Sequence, residues 1–123
     1  MNPSPAPILA PNEAQAALAA GAAVLVDVRE PTEWRDGVAL PAFLLPLSDL
    51  QGSRTYWRPF LEVQRGKRIL LYCKAGGRAG IAAALLKCEG FDTANVGGYT
   101  AWVAGGLPVR QAPESGGLAP SRS

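Results

Sequence analysis

Cys73 and Arg78, with Lys74, Ala75, Gly76 and Gly77 between them, are the residues of this chain best suited to do chemistry. A thiolate is the nucleophile that such a run supplies, and its setting favours the charged form. The cysteine follows the apolar run Ile69–Tyr72 and precedes the alanine- and leucine-rich stretch RAGIAAALLKCE, so it sits where a buried strand turns into a helix. A tight turn there aims successive backbone amides inward, and the helix adds the positive end of its dipole. Gly76 and Gly77 let the backbone turn without Cβ clashes and approach the sulfur closely. Lys74 and Arg78 bring positive charge. The chain has no histidine, which removes Ser-His-Asp and Cys-His pairs and every imidazole zinc site. No metal and no cofactor are expected.

The second cysteine, Cys88, offers an internal control. It lies three and seven residues from Leu85 and Ile81, a spacing that predicts a core stripe on one helix face. Ten helical residues from Arg78 to Cys88 span about 15 Å, too far for direct pairing with Cys73, whose Cα would have to lie within about 7 Å. With no C-x-x-C pair either, at least one thiol is expected to be free.

The 123 residues, 48% apolar and 18% charged, suffice for one core and not for two. Twelve basic against ten acidic side chains leave a net charge of +2, too slight for a nucleic-acid or membrane-surface footprint. There is no apolar run of the roughly 18 to 20 residues that a membrane span needs, and Met1–Pro11 has no cationic stretch leading into an apolar one. The expectation is a soluble, cytoplasmic, monomeric protein.

The elements that must position the loop follow from the apolar pattern. A short helix from an Asn12 cap to Ala20 precedes a buried strand over 22–28, and Pro31 opens a second short helix closed by Gly37. A weak strand over 43–45, a partly helical stretch over 53–64 limited by Pro59, and the strand 69–72 come next. A helix over 78–89, a strand over 93–96 and a last helix over 99–104 complete the order. Strands alternating with helices predict an α/β domain with an open, mainly parallel sheet, spanning residues 8–110 between a mobile tail (1–7) and a disordered one (111–123) rich in proline, glycine and serine. Ligands bind such sheets outside the carboxyl ends of the strands. Asp27–Arg29, Cys73–Arg78 and Asn95–Gly98 end up there.

In this order and spacing the motifs resemble those of the single-domain rhodanese-like sulfurtransferase family. Val26-Asp27-Val28-Arg29-Glu30 with Glu33-Trp34 is similar to the family's D-V-R-E box and E-[YW] helix, and Cys73–Arg78 to its active-site loop. Val96-Gly97-Gly98-Tyr99-Thr100-Ala101-Trp102 and Gly106-Leu107-Pro108-Val109 resemble its closing segments. The resemblance implies a parallel sheet of about five strands with helices on both faces. It implies that Cys73 takes sulfane sulfur from thiosulfate or a related persulfide donor as a persulfide and passes it to cyanide, a thiol or a protein acceptor. Lys74 and Arg78 would then steer the anionic donor, and Asp27 and Arg29 would support the loop. Their alternative is a surface ion pair of small worth. Trp34, Trp102 and Tyr99 are expected to pack rather than to stack on a ligand.

Two departures stand out. Val38-Ala39 follows Gly37 where the family usually has His-Ile, and Ala79 stands where a serine commonly follows the loop arginine. Two other functions compete. Phosphatases and arsenate reductases of related fold use Cys-x5-Arg to cradle a tetrahedral oxyanion, whereas here four residues separate Cys73 from Arg78, a smaller cradle suited to one sulfur atom. A non-catalytic rhodanese-like binding module would commonly have lost the cysteine or disrupted its loop.

Overall fold

Strands β1 (Ala23–Asp27), β3 (Ala42–Leu44), β4 (Arg68–Cys73) and β5 (Thr93–Gly98) lie side by side in the order β3-β1-β4-β5, every pairing parallel. The computed structural model describes residues 5–113, so most of the two expected tails lies outside the described residues. The central strands β1 and β4 are buried at every position except Arg68, as a parallel sheet covered on both faces requires.

The period-two alternation of these strands divides the core into two. Val24, Val26, Ile69, Leu71 and Cys73 face a layer made of α3 (Leu47–Leu50), α4 (Trp57–Val63) and α5 (Gly77–Cys88), which contributes Leu50, Trp57, Phe60 and Leu86. Leu25, Leu70 and Tyr72 face the opposite layer of α1 (Pro11–Ala19), α2 (Pro31–Trp34) and α6 (Tyr99–Ala104), where Ala14, Trp34 and Trp102 are buried. The tryptophans pack, as expected, and Trp102 donates its indole N–H to the Pro108 carbonyl at 2.8 Å. No helix among the described residues is long and apolar enough to cross a membrane.

The main sheet has four strands where about five were expected. The position beside β5 is taken by a single parallel bridge between Ile8 and Asn95. The Asn95 amide donates to the Pro7 carbonyl at 2.8 Å, and the Leu9 amide donates to Asn95 at 2.9 Å. Pro7 and Pro11 have no amide to carry the ladder further. A small antiparallel pair, β2 (Val38–Ala39) with β6 (Val109–Arg110), has no counterpart in the sequence reading, since two residues a side are too few to show alternation.

Helix starts differ for identifiable reasons. Asn12 is not the cap of α1; Pro11 takes the first helical position, and the Glu13 carboxylate accepts the Ala10 amide at 3.0 Å. Helix α4 begins only at Trp57, with Pro59 in its first turn, because Asp49 accepts the amides of Thr55, Tyr56 and Trp57 at 3.0, 3.0 and 2.9 Å. The one-turn helix α3 carries that aspartate and was not expected.

Cys88 corrects the reading of α5. It is exposed, Ile81 is 48% exposed, and the face on the sheet is made by Ala79, Ala82, Ala83 and Leu86. Small alanines let α5 lie close against β4 and β5, which turns the Ile81–Leu85–Cys88 stripe away from the centre of the core. Both cysteines are free.

Candidate active site

Cys73 is the last residue of β4, and its neighbour strand determines what surrounds it. Between Leu71 and Tyr72 the β4–β5 register shifts, so that Tyr72 lies opposite Gly97 and Cys73 opposite Gly98. Gly98 is the floor beneath the loop: a Cβ there would fall on the Lys74 carbonyl oxygen and lie 2.8 Å from the Ala75 Cα. Only a residue without a side chain lets the loop come so near. Gly76 takes a φ of +111°, a conformation that strains other residues, and donates its amide to the Cys73 Sγ at 3.0 Å. Helix α5 starts at Gly77. The sulfur is thus met by a backbone N–H and lies close to a helix N-terminus, both of which favour negative charge. Cys73 is only 1% exposed.

The loop cations have different surroundings. Lys74 and Ala75 are exposed, and Lys74 has no ion pair among the described residues. Arg78 grips the Glu33 carboxylate with both ends of its guanidinium, at 2.6 and 2.8 Å. Glu33 also accepts the Glu30 amide at 2.9 Å. The Arg78 guanidinium holds the Glu33 carboxyl down at about 2, and the carboxylate in turn raises the pKa of Arg78. Arg78 therefore ties the start of α5 to α2. Glu33 was read as part of a motif and not as a member of the site, because its partner lies 45 residues away.

Asp27 and Arg29 form a buried ion pair, 0% and 4% exposed, and not the surface pair weighed above. Arg29 Nη2 and Nε donate to the carboxylate at 2.8 and 3.1 Å, and the Arg29 amide adds a bond at 2.9 Å. The guanidinium also donates to the carbonyls of Gly37 at 2.8 Å and Glu33 at 3.3 Å, and lies 4.5 Å from the centre of the Tyr99 ring. Burial works against its charge, and the Asp27 carboxylate overcomes that, so the pKa of Arg29 is raised. Neither residue hydrogen-bonds the 74–78 loop among the described residues. They reach it through α2: Arg29 holds the Glu33 main chain while the Glu33 side chain holds Arg78.

The same region contains Val38 and Ala39, the residues that follow Gly37. Val38 is fully buried in β2, and the Ala39 amide donates to the Tyr72 hydroxyl at 2.9 Å. Burial, reinforced by the Asp27 carboxylate, pushes the Tyr72 hydroxyl above its ordinary pKa, so it serves as a neutral acceptor.

A family model described as "Rhodanese-like domain" matches residues 10–105. The chain belongs to the rhodanese-like family. Among curated relatives, this rhodanese-like chain is 36% identical over 103 residues to the uncharacterized protein slr1261 of Synechocystis, covering 82% of this chain and 54% of that protein. The chain thus spans about half the length of that relative. It is 32% identical over 93 residues to a protein of Allochromatium vinosum named a sulfurtransferase, covering 74% of this chain and 80% of the relative. Among solved structures, a rhodanese-related protein of Thermoplasma volcanium superposes with a TM-score of 0.69 at 25% identity, covering 85% of this chain and 98% of the other. The four-stranded sheet and its flanking helices are those of this rhodanese-like architecture.

Proposed function

We propose that this rhodanese-like chain is a sulfurtransferase of the thiosulfate type in which Cys73 is the nucleophile. The observation that carries the reading is the Gly76 amide on the Cys73 sulfur at 3.0 Å, at the start of a twelve-residue helix. The Cys73 thiolate attacks the outer sulfur of thiosulfate, the S–S bond of the donor breaks with its electron pair on the departing sulfite, and a Cys73 persulfide remains. Cyanide or a thiolate then attacks the terminal persulfide sulfur, giving thiocyanate or a new persulfide and returning the Cys73 thiolate. Both steps balance without an external oxidant or reductant.

Sulfite is a stable anion on leaving, so no general acid is required, which suits a chain without histidine. The demand is for fixed dipoles around anions, and the Gly76 amide with the α5 N-terminus supplies them. Lys74 steers the dianionic donor. Arg78, held by Glu33, fixes the start of the helix and contributes to the positive rim. Asp27 and Arg29 act as supports through α2. The two free thiols suit a reducing compartment, and we assign the protein to the cytoplasm, acting as a monomer.

Incubation with thiosulfate followed by intact-mass measurement tests this reading. We expect a gain of one sulfur atom in the wild type and in Cys88→Ala, none in Cys73→Ser, and thiocyanate release from cyanide to follow the same pattern. A folded wild type that takes up no sulfur would overturn it.

A further inference from the structure

The mechanism above leaves one polar side chain beside the loop without a role. Asn95 lies half-buried in β5, and both its main-chain and side-chain groups are engaged. Its backbone is held by Pro7 and Leu9 at 2.8 and 2.9 Å. Its side-chain Oδ1 accepts the Gly97 amide at 2.8 Å, and its Nδ2 donates to the Gly76 carbonyl at 3.1 Å. The two partners settle which way the amide faces. A flipped amide would oppose oxygen to the Gly76 carbonyl and nitrogen to the Gly97 N–H.

We propose that Asn95 is a positioning residue for the Cys73 sulfur, holding Gly76 where its amide meets Sγ. Gly76 has no side chain to anchor it and takes a backbone conformation with positive φ. Two donors restrain its carbonyl, the Gly80 amide at 2.9 Å from α5 and the Asn95 amide from β5. Gly80 leaves the room for this, because a Cβ at that position would stand 3.3 Å from Asn95 Nδ2. The other end of the side chain closes the turn around Val96 that brings Gly97 and Gly98 opposite Tyr72 and Cys73. One residue therefore couples the register of β5, the floor of the loop and the amide on the sulfur. An apolar residue of the same shape would fill the space without fixing any of them. The consequence for sulfur transfer rests on the reading of Cys73 proposed above; the positioning of the sulfur does not.

The test uses Asn95→Ala and Asn95→Leu in a Cys88→Ala background, so that Cys73 is the only thiol. Leucine keeps the shape of asparagine and removes both side-chain hydrogen bonds, and it supplies the comparison if alanine destabilises the strand too far. Iodoacetamide alkylation of Cys73 is followed in time at neutral pH, and sulfur uptake from thiosulfate by intact mass. The Gly76 amide is a fixed donor to the sulfur anion, so we expect alkylation of both variants to slow by about threefold to tenfold. Sulfur uptake at neutral pH should slow by about threefold to tenfold, while the thiosulfate concentration giving half the maximal rate changes by less than about twofold. Folded variants alkylated as fast as the parent would overturn the proposal. Slowed alkylation in a protein that never takes sulfur from thiosulfate would instead overturn the sulfurtransferase reading and leave the role of Asn95 standing.

Discussion

Two arginine–carboxylate pairs flank the site, and they differ in almost everything except their chemistry. Arg29–Asp27 is 4% and 0% exposed, its partners two residues apart, with the carbonyls of Gly37 and Glu33 accepting two further guanidinium donors. Arg78–Glu33 is 34% and 29% exposed and joins residues 45 apart across two elements. A buried pair has lost its hydration, so removing either partner strands the other charge. A half-exposed pair keeps water as a substitute and adds little to stability, yet it can hold a mobile segment in place. The contrast assigns stability to the first pair and loop placement to the second.

The largest expected effect breaks the first pair. Asp27→Ala leaves the Arg29 guanidinium buried without its counter-charge, and unfolding free energy should fall by about 3 to 5 kcal/mol, a large part of the about 5 to 15 kcal/mol that a domain has. Chemical denaturation checks this. Combining Asp27→Leu with Arg29→Met should recover only part of the loss, because the carbonyls of Gly37 and Glu33 then lose a donor. A loss below about 1 kcal/mol in Asp27→Ala would show that the two pairs do not differ as argued.

The same contrast explains what could be read from the sequence. The strands at the centre and helices α5 and α6 were legible because continuous apolar runs and glycine stops fix them almost residue by residue. The place of the cysteine loop was legible for the same reason, being a strand end before a helix. Arg29 was named as a support of the loop, but its burial was not legible, since a charged residue near an aspartate reads as solvated until a neighbouring layer, here α2 and β2, closes over it. The orientation of α5 was misread because alanine, leucine, isoleucine and cysteine occur all around it, so two faces looked equally apolar and only packing against the sheet chose between them. Asn95, placed at a strand end, and Glu33, placed in a motif, carried no role at the site in the sequence, because their reach to the loop depends on a register shift and on a contact between α2 and α5, neither of which has a local signature.

Breaking the second pair is expected to separate activity from stability. Arg78→Ala should lower unfolding free energy by no more than about 1 kcal/mol while slowing sulfur uptake by about tenfold, through a loosened helix start near the sulfur. Intact-mass time courses beside denaturation curves measure both. Equal losses in the two would mean that Arg78 is structural in the way Arg29 is.

Acid titration sharpens the comparison further. The Glu33 carboxyl lies at about 2 in the folded protein against an ordinary 4.5. Its depressed value means that its contribution to stability is fully present above about pH 4.5 and is lost as pH falls toward 2. The difference in melting midpoint between wild type and Glu33→Gln should therefore be small and constant from pH 9 to 5, then shrink below pH 4.5. A difference that persists at pH 2 would show that the Arg78 contact is not what holds Glu33.

The smallest effect belongs to Lys74, the loop cation without an ion pair among the described residues. An exposed ammonium acts on an approaching dianion through solvent, where attraction is weak and salt shortens its range to about 8 Å at physiological ionic strength. Lys74→Gln should therefore raise the thiosulfate concentration at half-maximal rate by about threefold at low salt, with the maximal rate nearly unchanged, and the difference should fade as salt approaches 1 M. Arg78→Lys offers the contrast: it keeps the charge and loses the two-point grip on Glu33, so its defect should lie in the maximal rate and resist salt. If Lys74→Gln instead lowers the maximal rate independently of salt, Lys74 contacts the reacting sulfur directly, and steering would have to be reassigned to Arg78.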